Sequence, residues 1–251
     1  MHNIHTFSLW KKQYIIHNEG ELALVMDLLA SSSHAFTLHR HVIMSFDAEL
    51  MEIIVTYKWL LLCMKSLDYK NRFLLLVKIG DTLSQVIGKS EHLGSILAGI
   101  PEEADKIRLI KSIRARWLMQ LIFVPDDLGN ILEWIFGEWE RMVFGILGKE
   151  FLQHLFAYGT DIYKVFHFLS DENKDIFADI LTLEFIKSRI YTAEDFFYVL
   201  KALSNEKVRE FILCFEPQEI RAIVGNNTIL SIFLPKITQS KEQTLLQYIN
   251  N

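Results

Sequence analysis

Asp127-Leu-Gly-Asn-Ile-Leu-Glu-Trp-Ile135 places apolar side chains at Leu128, Ile131, Leu132 and Ile135, and the reading of this stretch decides the fold. Residues three, four and seven positions apart share one face of an α-helix, so the stretch predicts a helix with a single apolar stripe. Outward from it, the same quartet returns as Leu60-Cys63-Met64-Leu67, Leu93-Ile96-Leu97-Ile100, Ile162-Val165-Phe166-Leu169, Phe196-Val199-Leu200-Leu203 and Leu230-Phe233-Leu234-Ile237. Successive first members lie 33, 35, 34, 34 and 34 residues apart. Self-similarity at this period marks stacked helical repeats, in which each unit buries its apolar face against its neighbours.

Each quartet has an apolar group before it, such as Leu118-Leu121-Ile122 or Leu152-Leu155-Phe156. Another follows it, such as Ile107-Ile110-Ile113, so three helical stretches fit one unit. The breaks carry helix starters: Ser90-Glu91, Asp126-Asp127, Thr160-Asp161, Glu194-Asp195 and Asn227-Thr228 before the quartets, and Pro101-Glu-Glu, Ser170-Asp-Glu and Ser204-Asn-Glu after them. Such residues cap free N–H groups or favour the positive end of the helix dipole. Gly80, Gly148 and Gly159 fall where left-handed helix ends are expected. Period-two alternation and hairpin dipeptides are absent from the pattern. The expected fold is all-α: a right-handed helical-repeat solenoid of about six units of ~34 residues, with helices of roughly eight to twelve residues. Residues 47–251 form the array in one continuous domain with 1–46, an atypical N-terminal helical cap containing helices near Glu21 to Leu29 and Leu38 to Phe46.

Composition narrows the function. Apolar residues make up 51% of the chain, enough for a substantial core. A net charge of -5 argues against nucleic acid, which needs clustered Lys and Arg. Cys63 and Cys214 both lie in apolar stretches and read as free thiols of a reducing compartment. No stretch is long and apolar enough to span a bilayer, and the first residues lack a signal-peptide pattern, so a soluble intracellular protein is expected.

Catalytic and metal-binding patterns are missing from the sequence. His2, His5, His17, His34, His39 and His41 cluster near the N-terminus, but His39 and His41, two apart on a helix, point in nearly opposite directions. No Gly-x-Ser-x-Gly, phosphate loop, His-Glu-x-x-His or Cys-x-x-Cys motif occurs. The expectation is a non-enzymatic protein without metal or cofactor; an enzyme or a small-molecule or lipid site built between repeats, from residues such as Asp126, Asp161 and His154, is the alternative. Positions one to two and five to six after each first quartet member are expected to face outward. Those places, with the turn beyond, hold Trp134, Trp139, Tyr163, Phe168, Phe197 and Tyr198, and clustered exposed aromatics suit protein binding. The other reading of these rings is that they pack between units.

The tetratricopeptide pattern is not met, because its Ala positions are lacking and a third helical break intrudes. A closer match is carried by Leu83-Ser-Gln-Val-Ile87 followed by Glu91-His-Leu93-Gly-Ser-Ile-Leu97-Ala-Gly-Ile100-Pro101-Glu-Glu103, and by Asp195-Phe-Phe-Tyr-Val-Leu200-Lys-Ala-Leu203-Ser-Asn-Glu206. Over Asp81 to Phe215 the chain resembles degenerate helical repeats of secreted effector proteins of Legionella-type intracellular bacteria, which read Leu-x-x-Ile-Ile, a spacer, then Asp-Leu-x-x-Val-Leu-x-x-Leu-Pro-x-Glu. The resemblance implies a scaffold delivered into the host cytosol, binding a host protein or another effector, with no catalytic residues to carry over. Gln239 to Asn251 lacks the acidic run that many such secretion signals show.

Overall fold

The structure is a computed structural model and describes residues 5–9, 12–16, 18–45, 54, 56–80, 83–225 and 227–250. His2, His17 and Phe46, and the side chains of His5, Asn227 and Thr228, lie outside what is described. Among the described residues the chain is helical, with nineteen α-helices, apart from one antiparallel hairpin. The hairpin pairs β1 (His5–Leu9) with β2 (Lys12–Ile16), with Phe7 opposite Tyr14. It departs from the purely helical N-terminal cap expected from the sequence. Two compact units divide the chain, Met1–Trp117 and Leu118–Asn251.

The N-terminal unit continues with α1 (Glu19–Ala30), α2 (Ala35–Ser45), α3 (Tyr57–Lys65), α4 (Tyr69–Ile79), α5 (Leu83–Val86), α6 (Ser90–Ala98) and α7 (Glu103–Ser112); α8 (Ala115–Leu121) carries the boundary. Here α1 packs on α2 and α3, α2 on α4, and α4 on α7. The C-terminal unit holds α9 (Pro125–Leu132), α10 (Glu138–Leu147), α11 (Lys149–Leu155), α12 (Gly159–Phe166), α13 (Asp171–Leu181) and α14 (Leu183–Lys187). It continues with α15 (Ala193–Ala202), α16 (Asn205–Leu213), α17 (Pro217–Val224), α18 (Asn227–Phe233), a 3-10 turn and α19 (Gln239–Asn250). The quartet helices pack in order, α9 on α12, α12 on α15 and α15 on α18; α10 meets α13, and α16 meets α19. The α-helix that follows each quartet helix, α4, α7, α10, α13, α16 or α19, is its second-row helix, and the connecting helices pack forward on these: α11 on α13, α14 on α16 and α17 on α19. Connecting helices are shorter than expected, down to four residues in α5 and five in α14, and such helices stand only by packing.

Five quartets are buried throughout, including Leu128, Ile131, Leu132 and Ile135. The sixth is only half-buried, because Leu234 and Ile237 follow α18 across a 3-10 turn containing Pro235 and leave the helical stripe. Three quartet helices of the C-terminal unit, α9, α12 and α15, start on acid caps. Asp127 Oδ2 accepts N–H bonds from Phe123 and Val124, Asp161 Oδ2 from Ala157 and Tyr158, and Asp195 Oδ2 from Tyr191 and Thr192. Asp195 Oδ1 also takes the Thr160 N–H at 3.0 Å, tying two repeats together. Gly80 and Gly148 end helices at positive φ, as expected of left-handed caps. Gly159 instead opens α12, where a Cβ would meet Ile190 and Asp195 at 2.8 and 2.9 Å.

A second address also recurs. The third or fourth residue of each second-row helix is polar and largely shielded: Asn71, Lys106, Glu140, Asn173, Lys207 and Lys241, spaced 35, 34, 33, 34 and 34 apart. Glu140 accepts from Ser170 Oγ at 3.1 Å and from Asn173 Nδ2 at 2.5 Å, while Asn173 Oδ1 takes the Arg141 guanidinium at 2.6 Å. Lys241 donates to the Leu200, Lys201 and Leu203 carbonyls at the end of α15. Buried polar groups are stabilised by such bonds, and at Asn71, Asn173, Lys207 and Lys241 the address ties a helix to the stretch one period earlier.

Candidate protein-binding surface

Helix geometry defines which quartet-helix positions reach outward. At about 100° per residue, the positions two and five after the first quartet member lie opposite the stripe, while positions one and six flank it. In the structure the opposite positions, among them Leu62, Lys65, Lys164, His167 and Lys201, are exposed, with Tyr198 half-buried. The flanking positions meet the neighbouring helices. Gly129, at the first flank of α9, lies under Phe168, at the sixth position of the next quartet; a Cβ on Gly129 would meet that ring at 2.5 Å.

This geometry sorts the six aromatic candidates. Phe197 is buried and stacks parallel on Phe233, with centroids 5.0 Å apart, so the expectation that it faces outward is corrected: its flank is an inter-helix contact. Phe168 is half-buried over Gly129, and Trp134 and Trp139 are half-buried as well. Tyr163 and Tyr198 come together, with ring centroids 4.7 Å apart, and the Lys201 ammonium lies 5.3 Å above the Tyr163 ring. Lys164, on the same helix as Tyr163, pairs with Asp126 at 3.4 Å. The outward face at α12 and α15 is thus aromatic and cationic, while α9 places Asn130 and Glu133 at the same positions.

The N-terminal unit fills the same addresses differently. Leu22, Val25, Met26 and Leu29 of α1 repeat the quartet spacing, which turns Leu24, Asp27 and Leu28 outward; Leu24 and Leu28 are 60% and 64% exposed. Leu24 joins Leu62 and Trp59 of α3 in an apolar area, and a hollow of about 810 Å³ between α1 and α3 is lined by Leu24, Trp59 and Leu62 and rimmed by Glu21, Asp27 and Lys65. Leu24, Leu28 and Leu62 were not among the sequence candidates. Nor were Phe123, Tyr158 and Tyr191, exposed at the starts of three quartet helices and 35 and 33 residues apart. They precede Asp127, Asp161 and Asp195 by four, three and four residues, and that near-repeat was the available signal.

The residues considered for chemistry have local partners. Asp126 faces Lys164, Asp161 caps its own helix, and His154 Nδ1 bonds the Glu150 carbonyl one turn back. His39 is buried with Nε2 on the Met26 carbonyl at 2.8 Å, and His34 contacts Ser33. Among the described residues no three His, Cys, Asp or Glu side chains are grouped to hold a metal ion. Burial, aided by Glu19, pushes the Cys63 thiol up to about 12, and burial raises Cys214 as well, so neither is an activated nucleophile. No described helix is long and apolar enough to cross a membrane. Comparison of the chain with protein-family models, with curated proteins and with solved structures gives no match.

Proposed function

We propose that the chain is a right-handed helical-repeat solenoid of about six ~34-residue units that acts as a non-enzymatic protein-binding scaffold or adaptor. The observation that carries this reading is the division of labour among addresses. The apolar quartet keeps its character from repeat to repeat, whereas the outward positions change from Leu24, Leu28 and Leu62 to Lys164, Tyr198 and Lys201. A surface that varies on a repeating frame suits recognition of an extended partner. In line with the effector repeats it resembles, the partner is a host protein or another bacterial protein, met in the host cytosol.

Affinity capture with the tagged full chain, in parallel with Leu24→Ser/Leu62→Ser and Lys201→Glu variants, tests the reading. It predicts a stoichiometric protein that at least one folded variant loses. Recovery of the same proteins by all three, or of none, overturns it. The hollow between α1 and α3 favours a second reading, an apolar small-molecule or lipid site, which predicts displacement of a bound hydrophobic dye by fatty acid and loss of dye binding in Leu24→Ser/Leu62→Ser.

A further inference from the structure

Three lysines from three helices line one hollow of about 340 Å³ in the C-terminal unit: Lys174 of α13, Lys201 of α15 and Lys241 of α19. One carboxylate, Asp171, lines it too, and that carboxylate is held at 2.6 Å by Lys174 from its own helix. Lys201 has no carboxylate within ion-pair distance among the described residues; its ammonium lies over the Tyr163 ring. Lys241 is buried with its ammonium on three carbonyl oxygens, which supply dipoles but no countercharge. Burial, then the nearby Lys174, holds the Lys241 ammonium below the usual lysine range against the opposing pull of Asp175 and Asp171, and the three lysines outnumber these two carboxylates.

Lys201 belongs to the hollow and to the tyrosine pair at once, so a cationic seat and an aromatic platform adjoin. Building on the scaffold reading, we propose that this composite site binds an acidic peptide segment of a partner protein, seating one carboxylate on the Lys201 and Lys174 ammonium groups, with the buried Lys241 adding positive charge behind them, and laying a neighbouring apolar side chain on Tyr163 and Tyr198. Charge complementarity selects the occupant. The hollow takes one compact anionic group beside one apolar group, as in Glu-Leu or Asp-Phe sequences. A nucleic-acid strand is a poorer fit, since it requires a long cationic track and the chain as a whole carries -5.

The test is fluorescence anisotropy of the full chain with a rhodamine-labelled dodecapeptide of alternating Glu and Leu, its Gln-Leu counterpart and a labelled dT12 oligonucleotide. Expected are saturable binding of the Glu-Leu peptide, about tenfold or more weaker binding of the Gln-Leu peptide, and a similar loss in Lys201→Glu. Tyr198→Ala, half-exposed, weakens binding severalfold, and circular dichroism confirms that both variants fold. Equal binding of the Glu and Gln peptides, no binding of either, indifference to Lys201→Glu, or tighter binding of dT12 with displacement of the peptide each overturns the proposal. The capture experiment separates the two claims: a partner kept by Lys201→Glu but lost by Leu24→Ser/Leu62→Ser leaves the scaffold standing without the acidic site.

Discussion

Asn71 and Asn173 occupy one address three repeats apart, both fully buried at the third position of a second-row helix, yet they are served differently. Asn173 uses both ends of its amide, giving to Gly137 O and Glu140 and accepting from Arg141. Asn71 gives to Phe36 O and Asp68 while its Oδ1 is buried without a partner among the described residues. The difference teaches that the period fixes where a polar group must sit and leaves each repeat to find its own way of satisfying it. The same holds before the quartets. Asp127, Asp161 and Asp195 cap helices in the C-terminal unit, while Trp59 and His92 fill that address in the N-terminal unit, where Glu19 caps α3 from a distance through Thr56 N–H and Oγ.

The largest effect should come from removing the better-served asparagine. Asn173→Leu leaves the buried Glu140 carboxyl and the Gly137 carbonyl short of a donor, and a loss of about 3 kcal/mol is expected in urea unfolding. Asn71→Leu removes an amide that is already half-orphaned and should cost about 1 kcal/mol. Equal losses would break the comparison.

Next in size are the caps. Asp195→Ala removes bonds to Tyr191 N, Thr192 N, Thr192 Oγ and, across repeats, Thr160 N, and should cost about 2 kcal/mol. Asp127→Ala removes the local bonds to Phe123 N and Val124 N and should cost about 1 kcal/mol. Thermal melts of the pair check the ranking, and a smaller loss at Asp195 would remove the inter-repeat bond from the account.

Much of this frame was legible in the sequence, because the quartet needs only one spacing and one class of side chain. The caps were legible too, since Asp127, Asp161 and Asp195 sit one residue before their quartets. The buried polar address was not, because Asn, Lys and Glu share no character until their burial is seen. The candidate face was legible only in part. Tyr198 lies opposite the stripe and was placed by periodicity, whereas Phe197 and Phe168 lie on flanks whose exposure depends on how closely the next helix approaches. The N-terminal hairpin escaped because its strands are five residues each, too short for alternation to stand out.

A gain of stability is expected at Thr182. It ends α13 with φ 75° and ψ 142°, a backbone region suited to glycine, and the corresponding position one repeat earlier is Gly148 with φ 75° and ψ 156°. Thr182→Gly relieves that strain at the expense of the Phe185 N–H bond to Oγ1, for a net gain of about 1 kcal/mol. Gly148→Thr should lose a similar amount, and the two changes together measure what the same conformation costs in two repeats.

The smallest effect lies at His92, which stands where the C-terminal unit has its capping aspartates. Its ring stacks on Tyr57 at 3.8 Å, and Nδ1 is buried without a partner among the described residues. Burial, then Lys89, lowers its pKa below the ordinary 6.5, with Glu91 acting in the opposite direction. The unfolded chain therefore takes up this proton at a higher pH than the folded chain does. The residue's contribution to stability is complete above about pH 6.5 and is lost as the pH falls through the lowered folded value. His92→Phe keeps a ring against Tyr57 and removes the titration, so its unfolding free energy should fall less steeply than the parent's on going from pH 7 to pH 5. His92→Asp instead restores the acid cap at this address and should flatten the same range while trading the Tyr57 contact for bonds to the N–H groups that open α6. If both variants keep the parent's slope, His92 is not the titrating group, and the two units do not differ in how acid reaches their quartet helices.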